Sequence, residues 1–310
     1  MHTQNSLMYS LQHKVMLIIV ALVLIASQNW VAAATLNPEV KTLRVNSYDI
    51  SYIERGKGEP LILVHGALSD YRTWSSLLDE FSETNRTIAV SLRHYYPEKW
   101  NGKGNDLSLQ QHADDIAAFI KTIHTGPVNL LGHSRGGAVA LLVASQYPKL
   151  VSKLILAEPS PLTTMLSKNS ESKSTMNLRK IKLQKVMAFY QHGDTEGGLN
   201  EFVNYIAGPA AWKRTSELRR NTLRSNAWTL LSLLDDIDIP FSCSDAGKIT
   251  APVLLIAGDR SSPLYGYMNS ALQACFKKVT KALIGDAGHL MFNENPTAFI
   301  FEVQEFISPQ

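Results

Sequence analysis

The sequence predicts an α/β fold, a doubly wound and mostly parallel sheet with a helical insertion, on three observations. Short apolar runs recur at "LILVHG" (61–66), "RTIAVSL" (86–92), "PVNLLG" (127–132), "KLILAEP" (153–159) and "APVLLIAG" (251–258). Runs apolar at consecutive positions bury both faces, as parallel strands in α/β proteins do. Helical patterns alternate with them from residue 60 to about 160, which is the signature of strand–helix winding. The alternation then stops, and residues 161–248 hold no convincing strand before the pattern resumes at Ala251.

The N-terminus stands outside that fold. "MHTQNSLMYSLQHK" has no acidic residue, "VMLIIVALVLIA" (15–26) is an apolar core of twelve, and Ala32 and Ala34 have the small-x-small spacing of a cleavage site. A membrane span needs roughly 20 apolar residues. Residues 1–34 therefore read as a cleaved signal peptide, with a mature start near Thr35 and a periplasmic or secreted product. A net charge of +3 with scattered basic residues gives no electrostatic case for nucleic acid. Cys243 and Cys275 are the only cysteines. In an oxidising compartment they either pair, tying residue 243 to a later helix, or sit as small buried hydrophobes.

Taken in order, "VKTLRVNSYDISYIERGKGEP" alternates with period two and turns at Asn46-Ser47, so it reads as two short strands. "DYRTWSSLLDEF" spaces Trp74, Leu77, Leu78 and Phe81 as a helix, and "SLQQHADDIAAFIKTI" places Ile116, Phe119, Ile120 and Ile123 on one face. "AVALLVASQ" is apolar nearly all round, as a helix against a sheet is. Within the insertion, "LRKIKLQKVMAFY" puts Leu178, Ile181, Met187 and Tyr190 near one side, with Lys180, Lys182 and Lys185 on a solvated one. "GGLNEFVNYIAG" and "SELRRNTLRSNAWTLLSLL" add further helices. After the insertion come a strand, a helix near 267–276, the strand "VTKALIG" and a last helix that Asn295 caps, with Pro296 at its first position. The core is thus 35–160 and 249–310, and the helical cap is 161–248.

Three stretches carry chemistry. Gly132-His133-Ser134-Arg135-Gly136 matches G-x-S-x-G between a strand and a helix, a sharp turn that exposes the serine hydroxyl. The turn also sets Ser134 at a helix N-terminus, which favours developing negative charge. The plainer alternative is a strand-to-helix turn with an incidental serine. "VHGA" (64–67) ends an earlier strand, where the N–H groups of Ala67 and Arg135 would form an oxyanion hole and His65 would orient the loop. "GDAGHLMF" (285–292) places His289 in a loop after the last strand, where a general base is needed. Two carboxylates compete as its partner, Glu158 in "LILAEPSP" and Asp259 in "GDRSSP". A glutamate at an apolar strand end is costly to bury without a partner, which favours Glu158. The alternatives are a hinge salt bridge for Glu158 and a turn-capping hydrogen bond for Asp259. Tyr95, Tyr96 and Trp100, in the aromatic loop "SLRHYYPEKW", are candidates to line a substrate pocket; Trp212 and Trp228 stay open between packing and binding, and Arg93 and His94 have no clear partner.

Residues 40–308 resemble the α/β-hydrolase superfamily with a helical cap: "LILVHGALSDYRTW", "LLGHSRGG", "APVLLIAGD" and "GDAGHLMF" stand in the family's order. The resemblance implies an eight-stranded sheet and a Ser–acid–His triad beneath the cap. A serine at 134 disfavours the haloalkane dehalogenase and epoxide hydrolase branches, which attack through a carboxylate. The family often places its acid three residues beyond the glycine ending strand seven, and here that position is Ser261. Other branches, the haloalkane dehalogenases and zearalenone lactonases among them, take it from the end of strand six, where Glu158 stands. The expectation is an exported serine hydrolase of a small ester or lactone, with no metal or organic cofactor. C–C bond hydrolysis, amide hydrolysis, perhydrolysis and non-catalytic ligand binding are the alternatives.

Overall fold

The structure, a computed structural model, describes residues 38–308 apart from 105, 124–125, 167–169, 234–235 and 237–239. The signal peptide expected over residues 1–34 lies outside the described residues. Eight strands form one sheet: β1 (Lys41–Val45), β2 (Tyr48–Arg55), β3 (Glu59–Val64), β4 (Asn85–Val90), β5 (Val128–His133), β6 (Val151–Ala157), β7 (Val253–Gly258) and β8 (Val279–Ile284). Their order is β1-β2-β4-β3-β5-β6-β7-β8. β2 runs antiparallel to β1 and β4, and the other pairings are parallel. The longer helices are α1 (Leu109–Thr122), α2 (Arg135–Gln146), α3 (Ser170–Gln191), α4 (Thr195–Ala207), α5 (Glu217–Ser225), α6 (Pro263–Gln273) and α7 (Pro296–Ile307).

The first hairpin turns on Asn46 and Ser47, both at positive φ (47° and 61°), a geometry whose twist matches that of the flanking strands. In the central strands, successive residues enter opposite cores. Ile62 and Val64 join Leu130 and Leu156 on one face, while Leu61 and Leu63 join Leu131, Ile155, Trp74 and Phe299 on the other. The chain leaves β3 for β4 on one side and later returns to β5 on the other. The connections therefore diverge above the C-terminal ends of β3 and β5, the crevice where open α/β sheets place ligands.

Between β6 and β7 every described element is helical. Three side chains seat this insertion on the sheet. Asp236 accepts from the buried Arg135 guanidinium and from the Leu109 N–H at 3.1 Å. Asn226 donates to Asp70 and accepts from the Tyr96 N–H, both at 2.7 Å. Arg219 donates to Ser69 Oγ at 2.9 Å and Thr73 Oγ1 at 3.0 Å.

Two sequence expectations need correction. The helix expected across "DYRTWSSLLDEF" is a 3₁₀ turn at Tyr71–Trp74, capped by Asp70, and a short helix at Leu78–Ser82. Ser75 and Ser76 lie exposed at the break, which still leaves Trp74, Leu77, Leu78 and Phe81 in one apolar cluster. In α3 the inward face is rotated from the expected one. Leu178 and Ile181 are 51% and 61% exposed, while Met176, Arg179, Leu183, Val186 and Tyr190 are buried. Those five keep helical spacing, but an arginine occupies one of the inward positions and disguises the stripe.

Cys243 and Cys275 form a disulfide, with Cα atoms 5.0 Å apart and a sequence separation of 32. It ties the end of the insertion to the chain just beyond α6. Replacing both cysteines by serine is expected to lower the unfolding free energy by about 4 kcal/mol on the chain-entropy account. Urea unfolding with and without reductant measures this, and wild type under reductant is expected to match the double variant.

Candidate active site

At the end of β5 the chain reverses sharply. Ser134 has φ 52° and ψ −118°, a sparsely populated conformation that costs about 1–3 kcal/mol. The flanking glycines make room for it. A Cβ at Gly132 would run into the Gly136 carbonyl, and one at Gly136 into the carbonyls of Val64 and His65. The turn is fixed by the Ser134 N–H donating to the Ala157 carbonyl at 3.0 Å, and by its own carbonyl accepting from the Ser160 N–H at 2.8 Å. Ser134 is thereby the N-cap of α2, and the Arg135 N–H is the first free donor of that helix.

The second loop follows β3. His65 is fully buried, with Nε2 accepting from the Leu92 N–H at 3.0 Å and Nδ1 donating to the Gly66 carbonyl at 2.8 Å. These two bonds fix both its tautomer and the path of the chain into Ala67. Among the described residues no acceptor takes the Ala67 N–H, so it remains available beside Ser134.

His289 follows β8, and its Nδ1 donates to Glu158 Oε2 at 2.6 Å. Glu158 is wholly buried at the end of β6, at φ 45°, and its Oε1 accepts from the Gly258 N–H at 2.9 Å. The carboxylate therefore has a partner on each oxygen, as a buried charge requires. Gly258 matters twice, because a Cβ there would collide with the Ala287 and Gly288 carbonyls of the histidine loop. Asp259 does not reach His289. Its two oxygens accept from the Asp286 and Ala287 N–H groups, each at 3.0 Å, which hold its carboxyl below the ordinary aspartate range and fasten the same loop.

Ser134 and His289 open into a cavity of about 100 Å³ lined also by Gly66, Ala67, Phe202, Val203, Ile206, Leu223, Leu233 and Leu290. Tyr95, Tyr96 and Trp100 are not among its lining residues, contrary to the expectation from sequence. Tyr95 is 1% exposed and packs edge-on against His65 with centroids 4.7 Å apart. Tyr96 lies under the Arg72 guanidinium at 3.6 Å, and Trp100 stacks on His94 at 4.7 Å. Their loop folds back on the body of the protein, so its aromatic content serves packing. Arg93 and His94 do find partners: Arg93 pairs with Asp115 at 2.8 Å and Asp106 at 3.0 Å, and His94 Nε2 bonds Asp106 at 2.7 Å. Trp212 and Trp228 also lie off the cavity lining.

Among the cavity residues that sequence reasoning did not reach, three can act on a ligand or on the imidazole. Tyr265, in α6, stacks on the His289 imidazole with centroids 4.1 Å apart and planes at 12°. Burial pushes its phenol well above the ordinary tyrosine range. Arg179 of α3 and Arg219 of α5 line the same space. No local motif marks any of the three, since each is delivered by an element distant in sequence.

Burial drives His65 down to about 4, and holds His112 and His133 well below the ordinary histidine range. A histidine with a depressed folded-state value gives stability that is complete above its unfolded value and is lost as pH falls toward the folded one. Unfolding free energy is therefore expected to fall from pH 6.5 downward, by about 3 kcal/mol for His65 alone on reaching pH 4. Urea midpoints between pH 7 and 5, where exposed carboxylates stay ionised, measure the effect; a flat profile would contradict it.

Residues 61–303 match the family model described as the alpha/beta hydrolase family. An (E)-2-((N-methylformamido)methylene)succinate hydrolase of Acinetobacter baylyi is 32% identical over 115 residues, 37% of this chain and 43% of that protein. A putative 2-succinyl-6-hydroxy-2,4-cyclohexadiene-1-carboxylate synthase of Bacillus subtilis is 25% identical over 261 residues, 81% of this chain and 90% of that one. Among solved structures, a membrane phospholipase A described as a novel bacterial virulence factor superposes with a TM-score of 0.69 at 21% identity, over 98% of this chain and 96% of that one. That last likeness is one of fold. The sheet order and the family match over most of its length agree, and the chain belongs to the alpha/beta hydrolase family as an enzyme of the hydrolase type.

Proposed function

We propose that the protein is a serine hydrolase that cleaves a small carboxylic ester or lactone through an acyl-enzyme. The observation that carries this reading is the 2.6 Å bond from His289 Nδ1 to the buried Glu158, with Ser134 on the same cavity wall. Glu158 fixes the tautomer that presents His289 Nε2 as a base and stabilises the imidazolium formed when it takes the Ser134 proton. Ser134 Oγ bonds to the carbonyl carbon, and the Ala67 and Arg135 N–H groups receive the oxyanion. The bond to the leaving oxygen breaks as His289 returns the proton to it. Water, deprotonated by His289, then attacks the acyl carbon and releases Ser134 with its proton restored.

The N-methylformamido group in the name of the Acinetobacter relative favours amide hydrolysis as a second reading, by the same steps with nitrogen as leaving atom. Action outside the cytoplasm is part of the proposal. The leader pattern of residues 1–34 supports it, as does the Cys243–Cys275 bond, because disulfides persist in oxidising compartments.

A fluorophosphonate probe is expected to label the wild type and not Ser134→Ala. On an ester substrate, Glu158→Gln is expected to lower kcat by about 10³-fold or more, and Asp259→Asn by less than about tenfold. Stopped assays with 4-nitrophenyl acetate measure both, and the reverse ranking would overturn the assignment of the acid.

A further inference from the structure

The cavity that holds Ser134 is apolar apart from a few groups, and its charged side chains share one sign. None of its lining residues is an aspartate or glutamate, whereas Arg179 and Arg219 both reach it. Arg179 is 4% exposed, and its Nε has no hydrogen-bond partner. Among the described residues no carboxylate forms an ion pair with either guanidinium; Arg219 is held by the neutral hydroxyls of Ser69 and Thr73. The two other arginines buried among the described residues are treated differently from Arg179. Arg135 is paired with Asp236, and Arg93 with Asp115 and Asp106. A buried cation without an ion-pair partner, as Arg179 is, is strongly unfavourable, and the part-buried Arg219 feels the Asp70 carboxylate without forming an ion pair with it. Burial indeed presses Arg219 below the ordinary arginine range.

We infer that Arg179 and Arg219 form an anion subsite, and that the substrate is a small acyl compound carrying a carboxylate beside the bond to be cleaved. This rests on the acyl-enzyme reading of Ser134. A guanidinium is matched to a planar carboxylate, donating two parallel N–H bonds to its oxygens. The two arginines come from α3 and α5 of the insertion, while Ser134, Glu158 and His289 come from the ends of sheet strands or the loops after them. The insertion thereby selects the substrate and the sheet supplies the chemistry. A cavity of about 100 Å³ suits a short chain between carboxylate and scissile carbonyl.

The test compares two 4-nitrophenyl esters of similar shape, the hydrogen succinate and the 4-methylpentanoate, in which an isopropyl group replaces the carboxylate. Wild type is expected to prefer the succinate by about tenfold or more in kcat/KM, the range of a charge-assisted hydrogen bond. Arg179→Met and Arg219→Met are each expected to cut that preference by about tenfold, mainly through KM, and Arg179→Lys to restore part of it. Fluorophosphonate labelling reports whether each variant keeps a folded, reactive site. Equal turnover of both esters by a labelled wild type, or arginine variants that leave the preference intact, would overturn the anion subsite while leaving the serine hydrolase standing. Absence of labelling and turnover in wild type would sink the acyl-enzyme reading instead. In that case calorimetric binding of glutarate to wild type and to Arg179→Met still decides the subsite: binding weakened by the substitution supports it, and no binding refutes it.

Discussion

A single carboxylate buried at the end of β6 organises the site. Glu158 has no solvent contact, so its charge depends on two donors, the Gly258 N–H and His289 Nδ1. Losing either would leave an uncompensated charge in the interior, at a cost of several kcal/mol. The surrounding backbone is shaped to prevent that. Glu158 adopts positive φ, its N–H is anchored on the Ile256 carbonyl at 3.1 Å, and Gly258 lacks the side chain that would hold the histidine loop away. Asp259, one residue further on, fastens that loop through two backbone amides. The two acidic candidates thus divide the work, one meeting the imidazole and the other fixing the loop that carries it.

The same logic of close approach governs the serine turn. Gly132 and Gly136 allow β5, α2 and the end of β3 to meet with only backbone between them, which brings Ala67 to the side of Ser134. His65 is locked by two backbone bonds and by Tyr95 packed against its ring, so the loop is set before any ligand enters. Preorganised donors of this kind stabilise developing charge without rearranging during reaction. The insertion completes the enclosure through Asp236, Asn226 and Arg219, each bonded to the body of the protein.

What the sequence disclosed and what it withheld follow from range. Strands showed as apolar runs, because burial on both faces leaves a local trace, and the serine turn showed because its glycines lie within two residues of Ser134. Glu158 is legible through the cost of burying a lone carboxylate at an apolar strand end and through the resemblance to branches with an acid after strand six, and the structure brings that carboxylate and not Asp259 to His289. Side chains whose role depends on which way a helix or loop faces were not legible. Arg179 sits on the buried face of α3 among Met176, Leu183, Val186 and Tyr190, so an apolar pattern that skips it points to a face with Leu178 and Ile181 inside. Tyr95, Tyr96 and Trp100 are not legible for the same reason, since an aromatic loop reads alike whether it turns toward a cavity or toward the core. The cysteines stayed open because pairing depends on the return path of the insertion, which spacing does not reveal.

The interaction between Glu158 and His289 is most directly tested by low-field proton NMR of the resting protein. A short charge-assisted bond at 2.6 Å, buried from exchange with water, predicts a strongly deshielded imidazole N–H proton. That signal is expected in wild type and in Asp259→Asn, and is expected to vanish or move far upfield in Glu158→Gln. Its persistence in Glu158→Gln together with its loss in Asp259→Asn would contradict the account.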